Sequence, residues 1–136
     1  IFVYRLRSRG NLNIKNMKEA LNFRTGSNKD DSSHKYLLDR GFEEGVNLDL
    51  TNDSAATIRK FVAGRLDFLM QTEYSMITQL KALGLEYSHV EKLFPIEEYD
   101  FGAPCLAFSL ETPKAIVEQV KKIVLAYPHD ETKTQN

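Results

Sequence analysis

The middle of the chain alternates strand-like and helix-like segments joined by short connections, and this alternation constrains the fold more than any other feature. Three helix-like segments end at glycines, namely Gly41, Gly64 and Gly84. A glycine commonly supplies the left-handed residue that ends a helix. Strands that alternate with helices in this way form a parallel sheet covered by helices. The pattern therefore predicts an α/β fold.

Three strand–helix pairs and one further strand are expected. The strands are expected over residues 22–27, around residues 46–50, over residues 66–70 as the central buried strand, and over residues 87–93. The helices should begin near Asp31 or Ser32, near residues 52–54, and at Glu73. The side chains expected to face the core are Tyr36, Leu37 and Leu38 in the first helix, Ala55, Ile58 and Val62 in the second, Met76, Ile77, Leu80 and Leu83 in the third, and Val46, Leu48 and Leu50 in a strand.

The two ends of the chain fall outside this repeating pattern. Residues 1–6 and 103–110 are strand-like, and we expect each to run away from the sheet toward something missing. A short helix is expected over 13–21, and a last helix after Thr112 and Pro113. The apolar stripe of that last helix needs a partner surface, which makes self-association plausible. One lobe over 1–128 and a polar tail over 129–136 are predicted, and the chain is interpreted as a fragment or processed product.

Composition excludes several classes of function. A chain of 136 residues can form one compact domain but not two lobes around a cleft. Its formal net charge of -1 comes from interspersed residues, so no nucleic-acid or membrane-surface partner is expected. No apolar run approaches the roughly 18 residues of a membrane span, and no signal-peptide pattern is present. The single Cys105 is interpreted as a buried, inert thiol.

Three motifs follow one another along the chain. A strand–turn–helix motif is Thr25-Gly26-Ser27-Asn28-Lys29-Asp30-Asp31-Ser32-Ser33-His34-Lys35-Tyr36-Leu37, a Gly-Arg-x-Asp motif is Gly64-Arg65-Leu66-Asp67, and an apolar strand over residues 103–108 precedes a Thr-Pro helix start. In this order the three motifs resemble the opening strand–turn–helix, the Gly-Arg-x-Asp strand and the return strand in the second lobe of bacterial extracytoplasmic (periplasmic) solute-binding proteins of the polar-amino-acid ABC-transporter type. The likeness covers nearly the whole chain.

This resemblance implies a periplasmic-binding-protein-like (type II) lobe, with a mostly parallel twisted sheet flanked by helices. Residues 1–6 and 103–110 would then be crossing strands toward a missing first lobe. The family binds small polar, amino-acid-like solutes by hinge closure outside the cytoplasm, and a membrane permease or receptor reads the closed state. The same lobe in the sensory domain of a signalling protein is the alternative function. Because half of the contacts are missing, we expect weak or undetectable affinity from this chain alone.

The first candidate binding point is the turn that precedes the first predicted helix. Ligands of open parallel sheets gather outside the carboxyl ends of the strands, where helix N-termini present unpaired N–H groups. Asp31, Ser32 and Ser33 could grip an anion there, and the resemblance places a ligand carboxylate at this loop. Asp31 or Ser32 acting only as a helix cap is the alternative. Asp30 and Asp31 stand where the family has glycine and then serine or threonine, and these charges favour a cationic or neutral ligand.

Two further strand ends supply the remaining candidates. The resemblance places a carboxylate that pairs with a ligand ammonium at the position of Thr72, and Glu73 next to it could substitute. Glu73 as a partner of the helix dipole is the alternative. Asn52 follows a third strand and could line the same cleft, although capping of the next helix would also explain it. Asp67 is interpreted as a structural carboxylate, bonded to backbone or paired with Arg65 or Arg59.

The sequence carries no pattern of an enzyme. His34, His89 and His129 lack metal-ligand spacing, and no nucleophile elbow, phosphate loop or dinucleotide motif is present. Glu97 and Glu98 are interpreted as part of a solvated acidic loop. A hydrolase would need a paired nucleophile and base, which the sequence does not show. We therefore predict a binding protein without a cofactor or a metal.

Overall fold

A computed structural model describes residues 1–97 and 106–126 of the chain. These residues belong to two compact units, one within Ile1–Phe101 and the other within Gly102–Asn136. The expectations for Glu98, for Cys105, for residues 103–105 and for the tail after residue 128 lie outside the described residues. The single lobe over 1–128 stays a prediction.

The described residues of the first unit form five strands, four helices and two short 3₁₀ turns at Arg7–Arg9 and Tyr87–His89. Strands and helices follow each other as the sequence predicts, although the strands are shorter than expected. The elements of this unit are β1 (Phe2–Leu6), α1 (Met17–Ala20), β2 (Thr25–Asn28), α2 (Ser32–Asp39), β3 (Leu48–Thr51), α3 (Ser54–Val62), β4 (Phe68–Gln71), α4 (Glu73–Ala82) and β5 (Val90–Pro95).

The five strands form one sheet in the order β3-β2-β4-β1-β5. Strand β2 pairs in parallel with β3 and β4, and Thr25 lies opposite both Leu48 and Phe68. Strand β1 pairs antiparallel with β4 and β5, so four strands run in one direction and β1 in the other. The α/β prediction is confirmed, with β4 at the centre of the sheet.

Strand β1 corrects one expectation about the chain ends. Residues 1–6 were expected to run away from the sheet, but Phe2–Leu6 pairs on both sides, with β4 and with β5. Val3 and Tyr4 are both fully buried on opposite faces of the sheet. Strand pairing is not local in sequence, so the pattern that indicated a strand did not indicate its neighbours. That this segment also leads toward a first lobe stays a prediction.

Both faces of the sheet are covered, which explains the apolar run that forms β4. Phe68 and Met70 pack in a core layer with residues of α1 and α2, whereas Leu69 packs in a second layer with residues of α3 and α4. Strand side chains alternate between faces, so a strand covered on both sides is apolar throughout. The two layers fix the sheet between two pairs of helices.

The helix boundaries follow the predicted signals. Asp31, Asp53 and Thr72 are the N-caps of α2, α3 and α4, and each accepts a backbone N–H from its own helix. The three glycines expected to end these helices have positive φ angles, between 70° and 93°. Local capping chemistry therefore determines where these helices begin and end.

Several side chains expected in the core lie at the surface instead. The buried residues of the helices differ from those predicted, and they are His34, Tyr36 and Leu37 in α2, Thr57, Ile58 and Phe61 in α3, and Met76 and Leu80 in α4. A helical residue next to the stripe points about 100° away from it. Val46 precedes β3 and belongs to the turn after Gly45. The exposed residues are Leu38, Val46, Ala55, Ile77 and Leu83.

The second unit is described over residues 106–126 and contains helix α5 (Lys114–Ala126). The helix begins directly after Pro113, as predicted. Residues 106–110 form no strand in this described part, so the expected crossing strand stays a prediction. Leu106 and Phe108 line an apolar groove together with Val117, Val120, Lys121, Val124 and Leu125.

Candidate functional site

A cleft of about 260 Å³ lies where three parallel strands end. Asn28, Thr51 and Gln71 are the last residues of β2, β3 and β4, and helices α2, α3 and α4 begin within four residues of these ends. The topology therefore brings three helix N-termini to one edge of the sheet. The cleft is lined by Ile1, Asn28, Asp31, Ser32, Ser33, Ser54, Met70, Gln71, Thr72, Ser75 and Gln79.

Asp31 holds the turn between β2 and α2 with one of its two carboxylate oxygens. Its Oδ1 accepts the backbone N–H of Ser33 at 2.5 Å and the hydroxyl of the same residue at 2.7 Å. Because the Ser33 proton goes to Asp31, Ser27 donates in the 2.7 Å bond between the two serine hydroxyls. The hydroxyl of Ser32 has no protein partner within the described residues. Asp31 thus caps α2 and also lines the cleft, so its interpretation as a helix cap and its interpretation as a ligand contact are compatible.

His34 supports the same turn from inside the protein. The backbone N–H of Asp30, which has a left-handed φ of 62°, donates to His34 Nδ1 at 3.1 Å. A ring nitrogen that accepts a hydrogen bond carries no proton, so the Nε2 proton donates to Glu44 Oε1 at 3.0 Å. His34 is nearly buried and both of its ring nitrogens are occupied. It therefore stabilises the turn between β2 and α2.

Asn28 is a cleft residue that sequence reasoning missed. Its Nδ2 donates to Ser54 Oγ at 2.8 Å, and its Oδ1 lies 3.2 Å from the Thr57 hydroxyl and 3.3 Å from the Thr51 hydroxyl. The amide thus ties the end of β2 to the start of α3. Because Ser54 Oγ accepts from Asn28, its own proton is available to a solute. The sequence signal that could have identified Asn28 is its position at a strand end, shortly before Asp30 and Asp31.

Thr72 and Gln79 line the wall that α4 contributes. Thr72 Oγ1 accepts the backbone N–H of Ser75 at 3.2 Å, so the threonine hydroxyl keeps its proton for another acceptor. Gln79 lies on the same helix, and its Oε1 is buried with no hydrogen-bond partner within the part of the chain that the structure describes. Sequence reasoning missed Gln79 because nothing local distinguishes a cleft-facing glutamine from an exposed one.

Glu73 is not brought to the cleft. Its carboxylate accepts a hydrogen bond from the Tyr87 hydroxyl at 3.0 Å and lies 2.9 Å from Lys92 Nζ. These contacts, with Lys92 first and Tyr87 second, hold the pKa of Glu73 below its ordinary value. Glu73 also lies in the first turn of α4, as the helix-dipole interpretation requires. Burial in turn raises the pKa of Tyr4, whose hydroxyl meets Tyr87.

Asn52 and Asp67 also lie outside the lining of the cleft. Asn52 is exposed, and it is Asp53 that caps α3 by accepting the Ala56 N–H at 2.6 Å. Asp67 accepts the backbone N–H of Arg24 at 2.7 Å, which confirms its structural interpretation. Its ionic partner is Arg9 at 2.6 Å, and not Arg65 or Arg59 as expected. That pairing joins residues 58 positions apart, which the sequence cannot indicate.

A second and larger cavity, of about 460 Å³, lies away from these strand ends. Its lining includes Lys15, Lys18 and Arg40 together with Tyr36 and the end of β5. None of the helices of eight residues or more in the described part of the chain begins at this cavity. The described residues contain no cluster of histidine, cysteine, aspartate and glutamate that could hold a metal ion.

Comparison with solved structures identifies the fold. No protein-family profile and no curated protein matches the chain. An ancestral arginine-binding protein bound to glutamine is 14% identical, with a TM-score of 0.66 over 91% of this chain and 51% of that chain. A histidine kinase sensor domain with similarity to periplasmic binding proteins is 18% identical, with a TM-score of 0.57 over 68% and 38% of the two chains. The unliganded L-cystine solute receptor of Neisseria gonorrhoeae is 15% identical, with a TM-score of 0.53 over 71% and 38%.

The fold is therefore that of periplasmic-binding-protein-like structures, as the resemblance predicts. The chain spans about half the length of the arginine-binding protein and less than two fifths of the other two. Within the described ranges, none of the helices has the length and apolar character needed to cross a membrane.

Proposed function

We propose that this chain binds a small polar, amino-acid-like solute in the cleft lined by Asp31, Ser32, Ser33 and Thr72, as one lobe of an extracytoplasmic solute receptor. One observation carries the proposal: three helix N-termini and their hydroxyl side chains converge at the carboxyl edge of parallel strands. This is where open α/β sheets bind ligands. The cleft contributes hydrogen-bonding groups on several sides and little apolar surface.

The structural neighbours support a solute of this class. Two of them are described as bound to glutamine and to arginine, and a third is an L-cystine receptor. A fourth concerns glutathione import through a cystine ABC importer. By analogy, the partner of the intact protein is a membrane permease and its location is periplasmic or extracellular. This analogy rests on the fold alone, so the proposal that this chain binds a solute depends on the geometry of the cleft.

The arrangement of side chains favours binding over catalysis. A hydrolytic serine needs a histidine that accepts its proton. His34 Nδ1 accepts from Asp30 and its Nε2 faces Glu44, while Ser33 donates to Asp31. No serine–histidine pair is formed within the described residues. The same hydrogen bonds rigidify a binding loop.

Binding by one lobe should be weak because hinge closure supplies the remaining contacts in the two-lobed proteins. We expect dissociation constants of roughly 1 mM or weaker, which corresponds to about 4 kcal/mol of binding free energy. Weak binding of this kind is measurable from amide chemical shifts. Glutamine, arginine and cystine are the first solutes to titrate.

Titration of the ¹⁵N-labelled chain tests the proposal when amides of residues 28–33 and 71–75 are followed together. Ser32→Ala removes a cleft hydroxyl without removing a hydrogen bond within the described protein, and it should weaken binding about two- to tenfold. Ser8→Ala removes the same atoms from an exposed turn distant in sequence and should change nothing. Shifts that appear elsewhere, or in no amide with any of the solutes, would exclude the cleft as a solute site.

A sensory output is the second candidate function, and the similarity to a histidine kinase sensor domain favours it. The cleft and its solute class are the same in both cases, because only the output differs. The coding sequence beside this chain distinguishes them. A secretion signal alone supports transport, whereas a membrane span and a signalling domain support sensing.

A further inference from the structure

We propose that the cleft selects its solute by a cationic group, an ammonium or a guanidinium, with Asp31 as the counter-ion and Gln79 as a neutral acceptor beside it. The inference rests on the proposed function and adds the sign of the charge on the solute group that this lobe binds. Two independent observations support it, one on the charge of the cleft and one on a buried acceptor.

The charge of the cleft comes from one side chain. Among the described residues that line the cleft, Asp31 is the only ionisable side chain, and the others are hydroxyls, amides and two apolar residues. Its Oδ1 is used twice by Ser33, whereas Oδ2 has no protein partner within the described residues. A half-buried carboxylate with one unused oxygen is an acceptor for a charge-assisted hydrogen bond. A solute carboxylate at the same place would face that charge without a cationic side chain to offset it.

The helix N-termini do not reverse this preference. An anion at a helix N-terminus binds the unpaired N–H groups of the first turn. Here each cap takes one such group of its helix, because Ser33, Ala56 and Ser75 donate their N–H to Asp31, Asp53 and Thr72. The other N–H groups of these first turns stay available to a solute, but the carboxylate charge of Asp31 lies at the start of α2 and opposes an anion there.

Gln79 supplies the second observation. Its Oε1 is buried and has no hydrogen-bond partner within the described residues, although the side chain lines the cleft. A buried acceptor without a donor is energetically unfavourable, so a group that donates is favoured beside it. Ammonium and guanidinium groups carry three and five N–H donors, and a carboxylate carries none. The orphan acceptor and the unused carboxylate oxygen thus favour the same kind of solute group, one that donates hydrogen bonds and carries a positive charge.

The test compares solutes that differ only in their charged end. Glutamine carries an ammonium and a carboxylate, γ-aminobutyramide keeps the ammonium alone, and glutaramate keeps the carboxylate alone. The amino terminus of the chain is acetylated, because Ile1 lines the cleft and its terminal charge would compete with the solute. The probe is the shift of amides 28–33 and 71–75 up to solute concentrations of about 50 mM, which detects binding free energies down to roughly 2 kcal/mol.

Asp31→Asn removes the charge and keeps an equally good helix cap. Asp30→Asn is the matched control, since Asp30 is exposed, does not line the cleft and has a left-handed φ that asparagine tolerates. We expect γ-aminobutyramide to bind at least about tenfold more tightly than glutaramate, a difference of 1.4 kcal/mol. D31N should abolish that difference, and D30N should preserve it.

The outcomes separate the two proposals. If glutaramate binds as tightly as γ-aminobutyramide, or if D30N acts as strongly as D31N, the cationic preference of Asp31 is refuted and the solute cleft stands. If none of the three solutes shifts the cleft amides, the cleft is not a solute site of this class. The proposed function then fails, and the inference fails with it.

Discussion

At the scale of single residues, Thr72 and Glu73 show how one position along a helix start changes the role of a side chain. Thr72 caps α4 and lines the cleft, whereas Glu73 bonds to Tyr87 and Lys92 outside it. Successive residues at a helix start point about 100° apart. The candidate carboxylate of the sequence is therefore a structural one, and the acid of the cleft is Asp31.

Glu73 predicts a pH dependence of stability. Its pKa is lowered in the folded protein, so its contribution is present above the ordinary glutamate pKa and is lost as the pH falls through the folded pKa. At pH 7, Glu73→Gln should reduce the free energy of unfolding by less than about 1 kcal/mol, since the pair is exposed. In thermal unfolding, the difference from the wild type should shrink as the pH falls below the ordinary glutamate pKa and vanish once the pH lies below the lowered pKa of Glu73. Glu43→Gln, at an exposed glutamate, is the control; a deficit of E73Q that persists in acid would contradict the assignment.

The close packing around Gly26 in β2 predicts that a larger residue there destabilises the fold. A Cβ at this position would lie 2.7 Å from Leu66 Cδ1 and 3.3 Å from both the Asp49 carbonyl oxygen and Thr57 Cγ2. Leu66 is fully buried, so its methyl group has little room to move. We expect Gly26→Ala to destabilise the fold by about 1–3 kcal/mol in urea unfolding.

Gly10 is the matched control for this substitution. Its φ is -57° and the nearest atom to a new Cβ is 3.7 Å away, so Gly10→Ala should be neutral or slightly stabilising. Equal unfolding midpoints for the two variants would show that Gly26 is not closely packed against Leu66, Asp49 and Thr57.

At the scale of elements, the three cleft helices depend on caps that the sequence already indicates. For α3 the sequence offers three candidates, and the structure selects Asp53. Asp53→Ala should cost about 1 kcal/mol, whereas Asn52→Ala at the exposed neighbour should stay within about 0.5 kcal/mol. Chemical denaturation measures both, and amide exchange in the first turn of α3 should accelerate only in D53A. A larger loss in N52A would reassign the cap.

Helix starts and ends were predictable because their chemistry is local, and strand partners were not. Asp31 directly precedes the first residue of α2, and Gly41 directly follows its C-cap. The sequence therefore predicts both boundaries of this helix. The position of β1 between β4 and β5 depends on pairings more than 60 residues apart. The same reason explains the candidate site: Asp31, Ser32, Ser33 and Thr72 follow from strand–helix order, whereas Asn28 and Gln79 depend on how neighbouring elements meet.

At the scale of the whole molecule, helix α5 presents apolar side chains to solvent. Ile116, Ile123 and Leu125 are 48%, 64% and 69% exposed, although the sequence predicts that this stripe needs a partner. Exposed apolar surface of this kind favours association. We expect the sedimentation coefficient to rise with protein concentration, and Ile123→Glu to suppress that rise; Lys122→Glu, at an exposed polar position of the same helix, is the control. A monomer at every concentration would contradict the expectation.

The central claim is that the strand-end cleft, and not the larger cavity lined by Lys15, Lys18 and Arg40, receives the solute. Intermolecular nuclear Overhauser effects between glutamine and the labelled chain test this claim most directly, because they report which protons lie within about 5 Å of the solute, the range of direct packing contacts. The account predicts contacts to Ser32, Ser33, Thr72 and Ser75, which line one cleft from two helices. Contacts to Tyr36, Arg40 and Phe94 alone would place the solute in the other cavity and contradict it.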